Sequence, residues 1–194
     1  MSPLYCALVH HPIVNRIGEI VATAITNIDV HDLARSARVY DLGAYFIITP
    51  VHAQRLIVER IVEHWRDGPG TRRVPERGEA LGRIRVEASV EEAVAVVEAL
   101  HGRRPRLLAT AARSGLPGVR LRFAEEARAL ASDDVPRLIL FGTGHGLADS
   151  VLEMADGLLE PIRGGAEYNH LSVRAAAAIT LDRLVGESLG ASSR

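Results

Sequence analysis

The chain has 194 residues, 47% of them hydrophobic, which suits one compact α/β domain, residues 1–194, with a real core. A formal net charge of −1 excludes a bulk electrostatic argument for a nucleic-acid partner. Cys6 is the only cysteine, so no intramolecular disulfide can form, and with no signal sequence and no apolar run long enough to span a bilayer the expected location is a reducing cytosol.

Leu4–Val9 is an apolar run and reads as a first strand, with Cys6 a small buried residue rather than a nucleophile. His10-His11-Pro12 ends it, and these histidines lack partners at metal-ligand spacing. A helical pattern follows at 17–25, and Asp29 or Asp32 caps a helix through residue 40. Residues 44–49 read as a second strand stopped by Pro50, and 52–66 alternate apolar and charged positions at helical spacing. Residues 67–82, rich in Gly, Pro and Arg, read as a long exposed loop. A short strand at 84–87 precedes Ser89-Val90-Glu91-Glu92, a capping box that opens a helix to about residue 100. Strand 107–110, helix 122–131, strand 138–141, a short helix at 148–154 and a short strand at 157–160 come next. From Ser172 to about Leu189 the chain is strongly helical. Alternating strands and helices imply a mostly parallel sheet with helices on both faces, and ligands of such sheets bind beyond the carboxyl ends of the strands.

The most specific signal comes late. Arg137-Leu138-Ile139-Leu140-Phe141 opens straight into Gly142-Thr143-Gly144-His145-Gly146. Such a junction lets backbone approach a nucleotide closely, because three positions carry no Cβ. In a Rossmann domain the turn follows the first strand. Here too little chain follows to build a doubly wound sheet, which disfavours a nicotinamide-dependent enzyme. About twenty residues on, Gly164-Gly165 leads to Asn169-His170-Leu171-Ser172-Val173 and an Ala-rich helix. A weaker third segment runs from Asn27-Ile28-Asp29-Val30-His31 through Arg35 to Arg38.

These three segments resemble the SPOUT superfamily of S-adenosylmethionine-dependent RNA methyltransferases. The overall pattern is similar to the small domain found fused to some bacterial tRNA guanine-N1 methyltransferases. The resemblance implies a C-terminal deep trefoil knot, a homodimer, and an RNA substrate, tRNA or rRNA. It implies a cofactor pocket built from Thr110, Ala111, Phe141, Gly142, Thr143, Gly144, Gly146, Leu159, Pro161, Ile162, Asn169, His170, Leu171 and Ser172. It places Arg35 and Ser172 in catalytic roles and Arg35, Arg38 and Arg113 on RNA, with no metal. The first motif departs from the commoner pattern, with Asp29 where Asn is usual and His31 where Gly is usual.

Plainer readings stand beside these. The glycine turn also serves as a tight connection, and Asn169 and Ser172 as ordinary N-caps of the last helix. Arg113 is either a phosphate contact or an ion-pair partner, and Arg35 and Arg38, three apart, share a helix face that is either RNA-facing or solvated. Residues 66–122 hold twelve arginines against seven acids, which suits phosphate or a solvated surface equally. At the level of function, a methyl-transferring enzyme competes with a non-catalytic knotted module that binds cofactor, RNA or a partner protein.

Overall fold

A computed structural model describes residues 2–186 apart from 114, 117 and 166–168. Seven strands form one sheet: β1 (Leu4–Val9), β4 (Tyr45–Ile48), β5 (Ile84–Glu87), β6 (Arg106–Ala109), β7 (Arg120–Leu121), β8 (Arg137–Gly142) and β9 (Gly157–Leu159). Their spatial order is β5-β4-β1-β8-β6-β9-β7, and every neighbouring pair is parallel. The central strands are buried on both faces, which is why β1 and β8 read as continuous apolar runs rather than alternating ones. The edge strand β7 is two residues long and carries no periodic signal, so the sequence did not announce it.

The pleat divides β1 between two cores. Leu4, Cys6 and Leu8 face one layer, and Tyr5, Ala7 and Val9 the other. The first layer is covered by α1 (Asn27–Val39), α2 (His52–Arg66), α4 (Pro75–Leu81), α6 (Phe123–Ser132) and α8 (Val173–Leu181), through Leu33, Val58, Leu81, Leu130 and Leu181 among others. The second is covered by α5 (Val90–His101) and α7 (Asp149–Met154), through Val97 and Val151. A mostly parallel sheet with helices on both faces is therefore observed. Chain continuing from α8 forms a π turn at Asp182–Gly186, and Tyr40 Oη donates to Asp182 Oδ1 at 3.2 Å, joining the last helical segment to the end of α1. The expected helical tail to Leu189 lies outside the described residues.

Three local expectations are corrected. Residues 17–25 are not helical. β2 (Ile13–Val14) and β3 (Ile20–Val21) form an antiparallel hairpin instead. Asn15 Oδ1 accepts from the amides of Ile17 and Glu19, each at 3.0 Å, and closes its turn. The apolar spacing misled because Ile17 and Ile20 are 77% and 62% exposed and mark no buried face. Residues 67–82 are not a loop but two short helices, α3 (Pro69–Arg73) and α4, each with Pro in its first turn. Gly78 is required there by packing, since a Cβ would lie 2.7 Å from the Trp65 carbonyl oxygen. Finally, α1 is capped by Thr26, whose hydroxyl accepts from the Asp29 amide at 3.3 Å, not by Asp29 or Asp32.

Candidate active site

Parallel strands end together, and their following loops converge at one rim. Here the segments after β1, β6, β8 and β9, joined by the starts of α1 and α8, enclose a cavity of about 690 Å³. Pockets of about 300–1,000 Å³ are typical for small-molecule ligands.

The sequence-selected residues fall as follows. Thr110, Ala111, Phe141, Gly142, Thr143, Gly144, Gly146, Leu159, Pro161, Ile162, Asn169, His170 and Leu171 all line this cavity, and so does Arg113. The segment before α8 is tied across it, with Asn169 Nδ2 donating to the Ala112 carbonyl at 3.2 Å. Ser172 does not line the cavity; its hydroxyl accepts from the Ala175 amide at 3.2 Å and caps α8. Arg35 lies outside the cavity, with a side chain 63% exposed and 4.0 Å from Asp32. Arg38 also lies outside, 3.3 Å from Glu79 on α4.

The structure adds residues that the sequence did not select for the pocket. His10, Thr23, Asp29 and Arg174 line the cavity together and form a polar end to it, with His10 bonded to Thr23, Asp29 close enough to act on His10, and Arg174 paired with Asp29. Arg174 of α8 is ion-paired with buried Asp29 and approaches Asp32 at 3.6 Å. Asp29 Oδ2 also accepts the Thr26 hydroxyl at 2.6 Å. His10 is the next inward position after Leu4, Cys6 and Leu8, a signal legible only once β1 is known to be a central strand.

A hydrogen-bond chain runs through this polar end. Thr143 Oγ1 donates to the Val9 carbonyl at 3.1 Å. Thr23 Oγ1 lies 2.6 Å from Thr143 Oγ1 and 3.0 Å from His10 Nδ1. Thr143 has spent its one proton on Val9, so Thr23 donates to Thr143. Thr23 has then spent its own proton, so it accepts from His10 Nδ1–H. This proton order assigns the ring the Nδ1–H tautomer, with Nε2 buried and without a hydrogen-bond partner among the described residues.

Burial lowers the His10 pKa to about 4, with Asp29 opposing the shift. A native pKa below the unfolded value of about 6.5 means that the unfolded chain takes up the proton first on acidification. Stability from this residue is therefore present at pH 7 and lost as pH falls from about 6.5 toward 4. Between pH 7 and 5 the expected loss from His10 is on the order of 2 kcal/mol. Urea unfolding of wild type and His10→Gln across this range checks it: the variant should have the shallower pH slope, and parallel slopes would contradict a buried neutral imidazole.

Among the described residues no group of three or more His, Cys, Asp or Glu side chains is placed to hold a metal ion. No helix of the described residues is long and apolar enough to cross a membrane. The lining combines backbone and hydroxyl groups, apolar side chains, the Asp29–Arg174 pair, Arg113, Glu160 and the rings of His10, His145 and His170, and it fits an organic cofactor of nucleoside size.

Fold and cavity together define an α/β protein with a ligand site at the carboxyl ends of a parallel sheet. A model described as SAM-dependent RNA methyltransferase matches residues 3–186, and the chain belongs to that family. By class it is thus a member of the S-adenosylmethionine-dependent RNA methyltransferase family. The chain is 46% identical over 190 residues to a protein named tRNA (guanine-N(1)-)-methyltransferase from Oleidesulfovibrio alaskensis, covering 96% of this chain and 43% of that one. The chain thus spans less than half the length of that relative. An uncharacterized protein of Aquifex aeolicus is 38% identical, with 93% of this chain and 87% of that one covered. In fold the chain is similar to the SpoU methyltransferase AviRb of Streptomyces viridochromogenes, solved in complex with AdoMet, with a TM-score of 0.59 at 18% identity over 97% of this chain and 58% of that one.

Proposed function

We propose that the chain acts as one domain that transfers the methyl group of S-adenosylmethionine to a nucleotide of tRNA or rRNA, as a homodimer in the cytosol. The observation that carries this reading is the single cavity in which thirteen of the fourteen residues selected for the cofactor meet a polar end built by β1, α1 and α8. When bound, S-adenosylmethionine supplies a methyl group already activated by its sulfonium. The protein's share is alignment and exclusion of water. Phe141, Leu159 and Ile162 give the apolar walls, and the turn 142–146 and residues 169–171 enclose the ligand. Arg174, held by Asp29, frames the acceptor end, and Arg113 stands at the rim for phosphate. The tRNA in the name of the Oleidesulfovibrio relative supports the substrate class.

Association of two copies is supported by apolar surface beside Arg35. Ile28 and Val39 on α1 are 53% and 72% exposed. Ala177, Thr180 and Leu181 of α8 are spent inside the subunit, while Ala175, Ala178 and Ile179 remain partly exposed. A two-fold contact through α1 and α8 brings Arg35 toward the second copy's acceptor end. The deep trefoil knot belongs to the same proposal, supported by the return of α8 to α1 through Arg174–Asp29 and Tyr40–Asp182.

Tritium transfer from labelled cofactor to RNA of cells lacking the protein tests the reading. Incorporation is expected. Arg35→Ala is expected to lower it about 100-fold, about 2.7 kcal/mol, while the dissociation constant of S-adenosylhomocysteine changes less than about twofold. Lost cofactor binding would move Arg35 to the cofactor site, and unchanged transfer would make it a surface residue. The competing module predicts cofactor binding with no transfer to any RNA; the position of Arg35 outside its own subunit's cavity is the observation in its favour.

A further inference from the structure

The cavity has two walls that come from distant parts of the sequence. The glycine turn after β8 forms one. The segment leading from the β2–β3 hairpin into α1 belongs to the other, with Thr23, Ala24 and Asp29 on the lining. One side chain spans them. Thr23 is bonded through Oγ1 to Thr143, the second residue of the turn, at 2.6 Å, and through the same oxygen to His10 at 3.0 Å. Its amide donates to the His10 carbonyl at 2.9 Å, which fixes the backbone from which the hydroxyl reaches. The turn has further ties to the hairpin: the Val14 amide donates to Gly146 O at 2.9 Å and the His145 amide to Val14 O at 3.0 Å. Those are backbone bonds that any sequence makes in this geometry. The Thr23 bond alone depends on side-chain chemistry.

We propose that Thr23 is a positioning residue: its hydroxyl, fed by His10 Nδ1–H, holds Thr143 and the glycine turn in the shape that receives the cofactor and ties that turn to the acceptor end of the cavity. This rests on the functional reading above. Proton accounting along the chain makes the requirement specific. Each hydroxyl has one proton, and all point toward Val9. Valine at position 23 keeps the shape of the side chain but removes both the donor to Thr143 and the acceptor for His10. Serine keeps both.

The test compares wild type, Thr23→Val and Thr23→Ser by calorimetry with S-adenosylhomocysteine and by two-bond proton–nitrogen correlation spectra of the histidine rings. In free wild-type protein at neutral pH, His10 should show a protonated Nδ1 and an unprotonated Nε2. Thr23→Val should lose that single-tautomer signature and raise the dissociation constant about tenfold, the weight of one net hydrogen bond. Thr23→Ser should restore both to within about twofold. A valine variant that melts earlier yet binds as wild type would overturn the proposal, leaving the hydroxyl a stabilising contact only. A wild-type His10 protonated at Nε2 would overturn it as well, by reversing the chain. Failure of wild-type protein to bind S-adenosylhomocysteine would instead strike the functional reading, since the ring signature reads the chain in the free protein.

Discussion

Replacing Gly144 by valine is expected to raise the dissociation constant of S-adenosylhomocysteine by at least about 100-fold. Read from the sequence alone, the reason would be a side chain intruding on the ligand. The structure gives a different one. Gly144 has φ +58°, and a Cβ there would lie 2.7 Å from Ile13 Cδ1 and 3.3 Å from the Val14 carbonyl oxygen. Ile13 is fully buried, so its terminal methyl can give way only by repacking against its buried neighbours. A left-handed β-branched residue costs about 1–2 kcal/mol and overpacking about 1–3 kcal/mol more. Either the turn opens or the hairpin shifts, and both frame the cavity. Gly146 is the control. Its φ is +115°, but a Cβ there meets only Arg113 Nη2 at 3.9 Å, so Gly146→Ala carries backbone strain alone and should weaken binding about tenfold or less. Calorimetry alongside thermal melts decides the matter. A Gly144→Val protein with wild-type affinity and melting temperature would show that the turn is merely a connection.

A second large loss of stability is expected at the opposite end of the sheet. Arg137 in β8 is 1% exposed, yet charged. Its guanidinium donates to both carboxylate oxygens of Asp133, to Ser2 Oγ at 3.2 Å and to the Val135 carbonyl at 2.6 Å. The hydrogen bonds from Arg137 first, then those from Ser2 and Val135, hold the Asp133 carboxyl well below the usual carboxylate range. Asp133→Asn leaves the arginine charge buried without its counter-charge, and the expected cost is roughly 3 kcal/mol. The low end of the range applies because the Asp133 side chain is 36% exposed, and water meets part of the loss. The sign with pH follows from the depressed native pKa. Asp133 contributes fully above the unfolded value of about 4, and the contribution falls as pH drops toward the native value. The gap between wild type and Asp133→Asn in urea unfolding should therefore be open at pH 7 and narrow below about pH 4. A gap under about 0.5 kcal/mol at pH 7 would contradict the assignment. Replacing both partners, Arg137→Met with Asp133→Leu, should recover most of the loss.

What the sequence made legible follows the physics of each segment. β1 and β8 were plain because a strand buried on both faces must be apolar throughout. α2 ran over residues 52–66 as its spacing implied, and Ser89 caps α5 by accepting from the Glu92 amide at 3.2 Å. The hairpin at 13–21 hid because Ile17 and Ile20 are exposed and mimic a helical stripe. α3 and α4 hid because Gly and Pro serve there as helix starts and close contacts with Trp65 rather than as loop residues. The glycine-turn wall of the cavity was legible through glycines and a resemblance. The polar end was not, since His10, Thr23 and Arg174 meet only when β1 lies between β4 and β8 and α8 packs over α1. Strand order is a property of the fold, and no local pattern in the chain encodes it.

The central claim is that the cavity at the strand ends is the S-adenosylmethionine pocket. Calorimetric titration of the purified chain with S-adenosylhomocysteine, and in parallel with NAD, tests it most directly. The account predicts one site per chain with micromolar affinity, about −8 kcal/mol, for S-adenosylhomocysteine and no binding of NAD. Saturable NAD binding with no heat from S-adenosylhomocysteine would contradict it.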